Sequence, residues 1–349
     1  MINKSSLKST VPLTHSSLEE LAHILDASLK QVDCVIDDRL KSDIPLIEQI
    51  AKHIIFAGGK RIRPSLTLAS AKMFGALNSS ATCLAAAVEF IHTATLLHDD
   101  VIDESDLRRG KPSAHQVWGN SASILVGDFL FARAFQLMVQ TNHLSVLEIL
   151  SHASATIAEG EVHQLVESHN LAMPQETALK ILGAKTAQLF GAACQTGAIV
   201  AGANPHEAHC LFNYGYNLGL VFQITDDVLD YTAQNGRRGK IAGDDFREGK
   251  ITLPAIYVYQ KATSDEKQFM ERTLIQMTQN EGDFEKMVEL IEKYGAIDKS
   301  LQTGALFRDK AILALKELAF EETGEEILSR DSMKLLLQNV ARECLEREV

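Results

Sequence analysis

Two stretches of this chain are apolar over most of a helical circumference, and each runs into the same acidic signature. Residues 81–97 and 205–229 carry Ala, Leu, Val, Ile and Phe on nearly every face. Helices of that kind sit inside a bundle, enclosed by other helices. The first leads into TATLLHDDVID and the second into VFQITDDVLD. The spacing therefore predicts a helical bundle whose interior is apolar and whose innermost helices end in clustered carboxylates.

The rest of the chain agrees with that frame. Leu18, Leu21, Ile24, Leu25 and Leu29 recur at spacings of three and four, predicting an amphipathic helix from about residue 17. The same period predicts helices near 44–56, 64–74, 81–104, 120–141, 143–168, 174–200 and 205–231. It continues near 252–261, 265–280, 283–294, 298–318 and 331–346, and Pro174 suits a first helical turn. Alternating strand patterns are nearly absent, and no such pattern flanks the Asn235–Gly236 pair. The exception to the helical period is a polar stretch over 231–249, a candidate lid. At about 150 residues per domain, 349 residues make one large domain or two ordinary ones. No linker or repeat divides the chain, so the expectation is one all-α domain over 18–349. A Ser/Thr-rich flexible tail is expected over 1–17.

Composition excludes several functions. With 46% apolar and 23% charged residues the chain is not mainly disordered. A net charge of −12, from 34 Lys and Arg against 46 Asp and Glu, argues against a nucleic-acid partner. Cys34, Cys83, Cys194, Cys210 and Cys344 are scattered and odd in number, which fits reduced core thiols. HEAHC over 206–210 lacks the H-E-x-x-H spacing and reads as structural. No secretory h-region follows the N-terminal residues, and no run of eighteen apolar residues occurs.

The acidic clusters carry the chemistry. Each is D-D-x-x-D: Asp99, Asp100 and Asp103, then Asp226, Asp227 and Asp230. Positions i and i+4 of a helix share a face with Cβ atoms ~5–6 Å apart, so Asp99 with Asp103 and Asp226 with Asp230 can grip one cation. Oxygen-only donors select Mg²⁺ or Mn²⁺, and Mg²⁺ completes its shell with water and substrate phosphate. A phosphorylated substrate is therefore expected. Cations stand nearby in sequence: Lys60, Arg61 and Arg63 in GGKRIRP, and Arg108, Arg109 and Lys111 in DLRRGKPSAH. Lys185 lies beside Thr186 in GAKTAQLF, and Lys240 and Lys250 bracket Asp244 and Asp245 in GKIAGDDFREGK. Adjacent Arg forks suit bidentate phosphate recognition.

GGKRIRP, LLHDDVIDESDLRRGKPSAH, FQITDDVLDY and GKIAGDDFREGK occur in this order. The chain resembles the trans-isoprenyl (polyprenyl) diphosphate synthases, and within them the long-chain octaprenyl-to-decaprenyl type that makes quinone side chains. The resemblance implies an all-α fold around a deep central cavity, in a homodimer. It implies that Asp99, Asp103, Asp226 and Asp230 hold magnesium against an allylic diphosphate such as farnesyl diphosphate, with Asp100 and Asp227 behind them or sharing ligation. It implies that Arg108, Lys185, Thr186, Gln223 and Lys240 hold the allylic diphosphate. Lys60, Arg63, His92 and Arg109 would hold isopentenyl diphosphate, and Lys250 would help close the 231–249 segment. A cytoplasmic enzyme near the membrane that receives its product is expected.

Three rivals remain in view. His98-Asp99 is literally an HD pair, so an HD-type metal phosphohydrolase using His53 and His92 is one, although it leaves the second cluster without a role. A terpene cyclase would share only the first acidic motif. An inactive regulatory subunit of a two-component synthase would have lost motif residues that are present here. In the resembled family, large aromatic side chains four and five positions before Asp99 stop elongation. Here those positions hold Thr95 and Ala94, about one turn deeper, so a tunnel continues to a floor for which Phe131, Phe135 and Met138 are candidates. Ala94→Phe is expected to shorten the product sharply, and product mass after incubation with both diphosphates checks it.

Overall fold

Ser16 opens the first helix by accepting from the Glu19 amide while the Glu19 carboxylate accepts from the Ser16 amide, a reciprocal cap that stops the chain from fraying. Helix α1 (Ser17–Ile24) bends at Leu25 into α2 (Asp26–Leu40). The computed structural model describes residues 16–75, 77–108, 110–232, 243–318 and 326–346. Of the expected tail, 1–15 lie outside the described residues, and Ser16 and Ser17 belong to the helix instead. Ser17 also reaches the far end of the chain, donating from N and Oγ to the Glu343 carboxylate at 2.6 and 2.5 Å.

The chain continues through α3 (Pro45–Ile55), α4 (Ile62–Lys72) and α5 (Ser79–Ile102). A two-residue hairpin follows, β1 (Leu107–Arg108) with β2 (Lys111–Pro112), in antiparallel register. Next come α6 (Ala114–Trp118), α7 (Asn120–Gln140), α8 (Leu144–Glu167) and α9 (Gln175–Leu182). A π-helical turn, Gly183–Ala187, joins α9 to α10 (Gln188–Val200), and α11 (Pro205–Thr232) follows. After α12 (Asp244–Arg247) come α13 (Leu253–Lys261) and α14 (Ser264–Met270), then a second π-turn, Glu271–Ile275. Last are α15 (Asp283–Lys293), α16 (Ala296–Lys316) and α17 (Glu326–Leu345). The hairpin, α6 and α12 were not legible, because two to five residues are too few to show a period. Pro174 stands just before α9 and not within its first turn.

Helix α5 is the axis. Its 24 residues span about 36 Å, and Ala85, Ala86, Ala87, Val88 and Phe90 are fully buried. It packs on α7, α4 and α2, while α10 lies between α4 and α11, and α11 is backed by α16. Contact between α4 and α10 is close because Gly197 has no side chain: a Cβ there would meet the Thr67 carbonyl oxygen at 2.2 Å. The Tyr214 hydroxyl in α11 donates to the Leu337 carbonyl at 2.9 Å and ties α17 to the bundle. A second apolar cluster, including Ile256, Tyr257, Met270 and Met287, fills the space between α13, α15 and their neighbours.

Both α5 and α7 are long and apolar enough to cross a membrane by length and composition alone. In α5, 72% of the most apolar window is buried in the bundle, which identifies it as a core helix; in α7 the share is 39%. The difference is a stripe of exposed apolar side chains on α7, with Leu125, Phe135 and Val139, matched on α8 by Val162, Leu165 and Val166. The cysteine expectation needs one correction. All five thiols are free, but Cys34 is exposed on the outer face of α2 and Cys83 is only half-buried.

Candidate active site

Buried helices end where their polar groups can be satisfied, and α5 ends at its aspartates. Asp103 caps the helix, its amide donating to the Asp99 carbonyl at 2.8 Å. Asp100 is fully buried and its Oδ1 accepts from Arg108 Nε at 2.8 Å and from Nη2 of the same guanidinium. The β1–β2 hairpin presents Arg108 there. His53 of α3 holds the hairpin through Nε2, 2.8 Å from the Pro112 carbonyl, with its ring edge-on to Trp118. Burial, then the charge of Glu161, pushes the Asp99 carboxyl up to about 7 despite nearby Lys185.

The second cluster lies on α11. Asp227 is buried, and burial followed by the charge of Asp245 holds its carboxyl well above the usual carboxylate range. Gln223 Nε2 donates to Asp227 Oδ1 at 2.9 Å, while Gln223 Oε1 accepts from Thr186 Oγ1 at 3.0 Å. Asp230 accepts on both carboxylate oxygens, from the amides of Asp244 at 3.2 Å and Asp245 at 3.0 Å. It thereby caps α12 and fixes the 244–250 segment against α11. Asp226 is half-buried on the same helix.

Two chains of contacts bring the clusters to one end of the bundle. The first runs through the 244–250 segment. Lys250 Nζ lies 3.1 Å from Asp103 Oδ2 and 2.6 Å from Glu248 Oε2, and Ser105 Oγ donates to Glu248 at 3.4 Å. Burial would lower the Lys250 pKa, but Asp103 and Glu248 outweigh it and raise the value. The second chain runs through the π-turn. From this turn Lys185 reaches α8, 2.6 Å from Glu161 and 2.8 Å from Gln164 Oε1, and Thr186 reaches Gln223 on α11.

Below the acidic end, α5 keeps an accessible stripe through an otherwise buried helix. His92, Thr95, Leu96 and Asp99 are partly exposed at spacings of three and four, while Thr93, Ala94 and Leu97 are buried. Of the two chain-length positions, Thr95 lies on this stripe and Ala94 is fully buried beside it. Among the floor candidates, Met138 is fully buried, Phe131 stacks on the His98 ring at 6.2 Å, and Phe135 is exposed.

The GGKRIRP turn divides its cations. Lys60 is exposed, after Gly58 and Gly59, which adopt the positive φ angles the turn requires. Arg63 lies over the Phe190 ring at 4.6 Å. Arg61 is committed to the core, with Nη1 donating to Glu89 at 2.7 Å and Nη2 to Asp33 at 3.2 Å. Arg109, Lys240 and most of the 231–249 segment lie outside the described residues. Glu161, Gln164 and Glu248 were missed in the sequence reading. The i,i+3 polar pair in EGEVHQ was the available signal for the first two.

The HD reading finds no support in the histidines it needs. His98 Nε2 lies 3.1 Å from the Ile124 carbonyl and 3.5 Å from Asp128, on the α7 side, and His53 anchors the hairpin. Among the described residues no three His, Cys, Asp or Glu side chains form a ready-made metal cage. Two carboxylate oxygens, Asp100 Oδ2 and Asp227 Oδ2, are buried with no hydrogen-bond partner. Oxygen-only donors fit a hard divalent ion that keeps water and phosphate in its shell.

A helical bundle with two carboxylate clusters and several cations at one end of an apolar interior defines an isoprenoid synthase. Residues 44–291 match the family model for polyprenyl synthetase. Octaprenyl diphosphate synthase of Escherichia coli is 42% identical over 302 residues, covering 86% of this chain and 93% of that protein. A polyprenyl synthase from Caulobacter crescentus, solved with calcium and isoprenyl diphosphate, superposes with a TM-score of 0.88 at 46% identity, covering 97% of this chain and all of that one. A decaprenyl diphosphate synthase from Rhodobacter capsulatus gives 0.87 at 42% identity, covering 95% and 99%. The chain belongs to the polyprenyl synthetase family.

Asp100→Ala removes the buried partner of Arg108, whose side chain stays about a third exposed. It is expected to reduce stability by about 1–3 kcal/mol, read as a lowered thermal midpoint.

Proposed function

We propose that the chain is a long-chain trans-polyprenyl diphosphate synthase that condenses an allylic diphosphate repeatedly with isopentenyl diphosphate. The observation that carries this reading is the joining of both acidic clusters to one cationic rim, through Lys250 on one side and Thr186–Gln223–Asp227 on the other. Octaprenyl and decaprenyl relatives stand at the same 42% identity, so similarity supports a long product without choosing its length.

Asp99, Asp103 and Asp226 are the metal ligands in this reading, with Asp230 sharing its oxygens with the α12 cap. When bound, Mg²⁺ would neutralise the diphosphate facing these carboxylates; the calcium complex of the Caulobacter relative supports a divalent ion. Arg108 and Lys185 hold the allylic diphosphate and stabilise the charge that develops as its C–O bond breaks. The bonding electrons leave with the diphosphate, and an allylic cation remains. Thr186 and Gln223 turn their dipoles toward it, and the apolar walls of α5 and α11 exclude water. Lys60, Arg63 and His92 hold isopentenyl diphosphate so that its double bond attacks the cation. A proton then leaves to the released diphosphate and restores a double bond. No Ser or Cys nucleophile is needed. The growing chain follows the stripe below Asp99, past Thr95.

The exposed apolar stripe on α7 and α8 supports a homodimer, since surfaces of that kind mark association sites on soluble proteins.

Purified protein with farnesyl diphosphate, isopentenyl diphosphate and Mg²⁺ is expected to release a long-chain product, and a chelator is expected to abolish it. Asp99→Ala and Asp226→Ala are expected to lose turnover with helical circular dichroism retained. Absence of incorporation by the wild-type chain sinks the assignment, and near-normal rates in either variant sink the ligand roles. Sedimentation is expected to return a particle of two chains; a single-chain particle overturns the dimer.

A further inference from the structure

The helix α8 brings two polar side chains to the site that belong to neither acidic motif. Glu161 and Gln164 lie three residues apart and so share a helical face. Lys185 Nζ is 2.6 Å from Glu161 Oε2 and donates to Gln164 Oε1 at 2.8 Å. An ammonium has three N–H donors. These contacts engage two and leave one direction for a ligand. The ion pair is largely enclosed, with side-chain exposures of 18% for Lys185 and 19% for Glu161.

The backbone is built for this contact. A Cβ at Gly160 would lie 2.7 Å from the Ala184 Cβ and 3.2 Å from the Lys185 Cγ, so α8 approaches the π-turn only because position 160 has no side chain. The π-turn itself aims Lys185 at α8 while Thr186 faces α11.

We propose that Glu161 and Gln164 are positioning residues that hold the Lys185 ammonium in place for the allylic diphosphate. A lysine ordered only on binding loses rotamer freedom at that moment, which weakens the ligand's hold. A lysine fixed beforehand avoids that loss. The pairing has a second effect. A Glu161 without its cation would present an unpaired negative charge to an anionic substrate. The inference rests on the reading of Lys185 as a diphosphate ligand.

Steady-state kinetics of the full-length protein with farnesyl diphosphate, isopentenyl diphosphate and Mg²⁺ test it. Glu161→Gln is expected to raise KM for farnesyl diphosphate about fivefold or more, a coupling typical of side chains in contact. KM for isopentenyl diphosphate is expected to stay unchanged, and Glu161→Asp to recover part of the loss. The double variant Glu161→Gln/Lys185→Ala is expected to be no worse than Lys185→Ala alone, because Glu161 acts through Lys185. Multiplicative defects, or an unchanged KM in Glu161→Gln, overturn the inference. If Glu161→Gln does not fold, Gln164→Met, which removes a single acceptor, carries the same comparison. A Lys185→Ala enzyme with normal kinetics instead overturns the reading of Lys185 itself.

Discussion

Crowded negative charge at the mouth of an apolar interior is the constraint on which the rest of this structure depends. Two like charges about 4 Å apart repel by roughly 4 kcal/mol at an effective dielectric of 20, and here Asp99, Asp103, Glu161, Asp227, Asp230 and Asp245 share one end of the bundle. The protein limits the repulsion in two ways. Cations interleave the carboxylates, with Arg108 on Asp100, Lys185 on Glu161 and Lys250 on Asp103 and Glu248. Backbone amides take up Asp230. Burial first, and then the remaining repulsion, raises the Asp99 carboxyl to about 7 and holds the Asp227 carboxyl well above the usual carboxylate range. A site under that load is suited to cations, and so to the anions that cations bring with them.

Irregular backbone serves this arrangement more than regular helix does. The π-turn of Gly183–Ala187 carries both Lys185, which reaches α8, and Thr186, which reaches α11. The short β-hairpin brings Arg108 back over Asp100 after α5 has ended. The cap on α12 fastens Glu248 and Lys250 beside the first cluster, although the second cluster is much nearer to them in sequence. The α12 cap thereby converts proximity in sequence to one cluster into proximity in space to the other.

The interior follows from helix packing. Small residues let α4, α10 and α11 approach closely, as at Gly197, and the long central helices leave little room for solvent. Along α5, however, the residues at spacings of three and four from Asp99 stay accessible. His92, Thr95 and Leu96 thus share a partly accessible helix face with Asp99. That continuity supports placing elongation beneath the site of ionisation.

The sequence alone determined the helical fold, the two aspartate sets and most of the cations beside them, because period and spacing are local properties that survive without a partner. It also placed the long apolar helices inside, since no other position suits a helix without a polar face. Local pattern could not say which basic residue does what. Arg61 and Arg63 are two positions apart, yet one is locked to Glu89 and Asp33 and the other lies over Phe190. Nor could it reveal Glu161 and Gln164, whose importance lies in facing Lys185 from another helix. Those assignments are made by tertiary structure, because the worth of a charge depends on what surrounds it, and its surroundings come from residues distant in the chain.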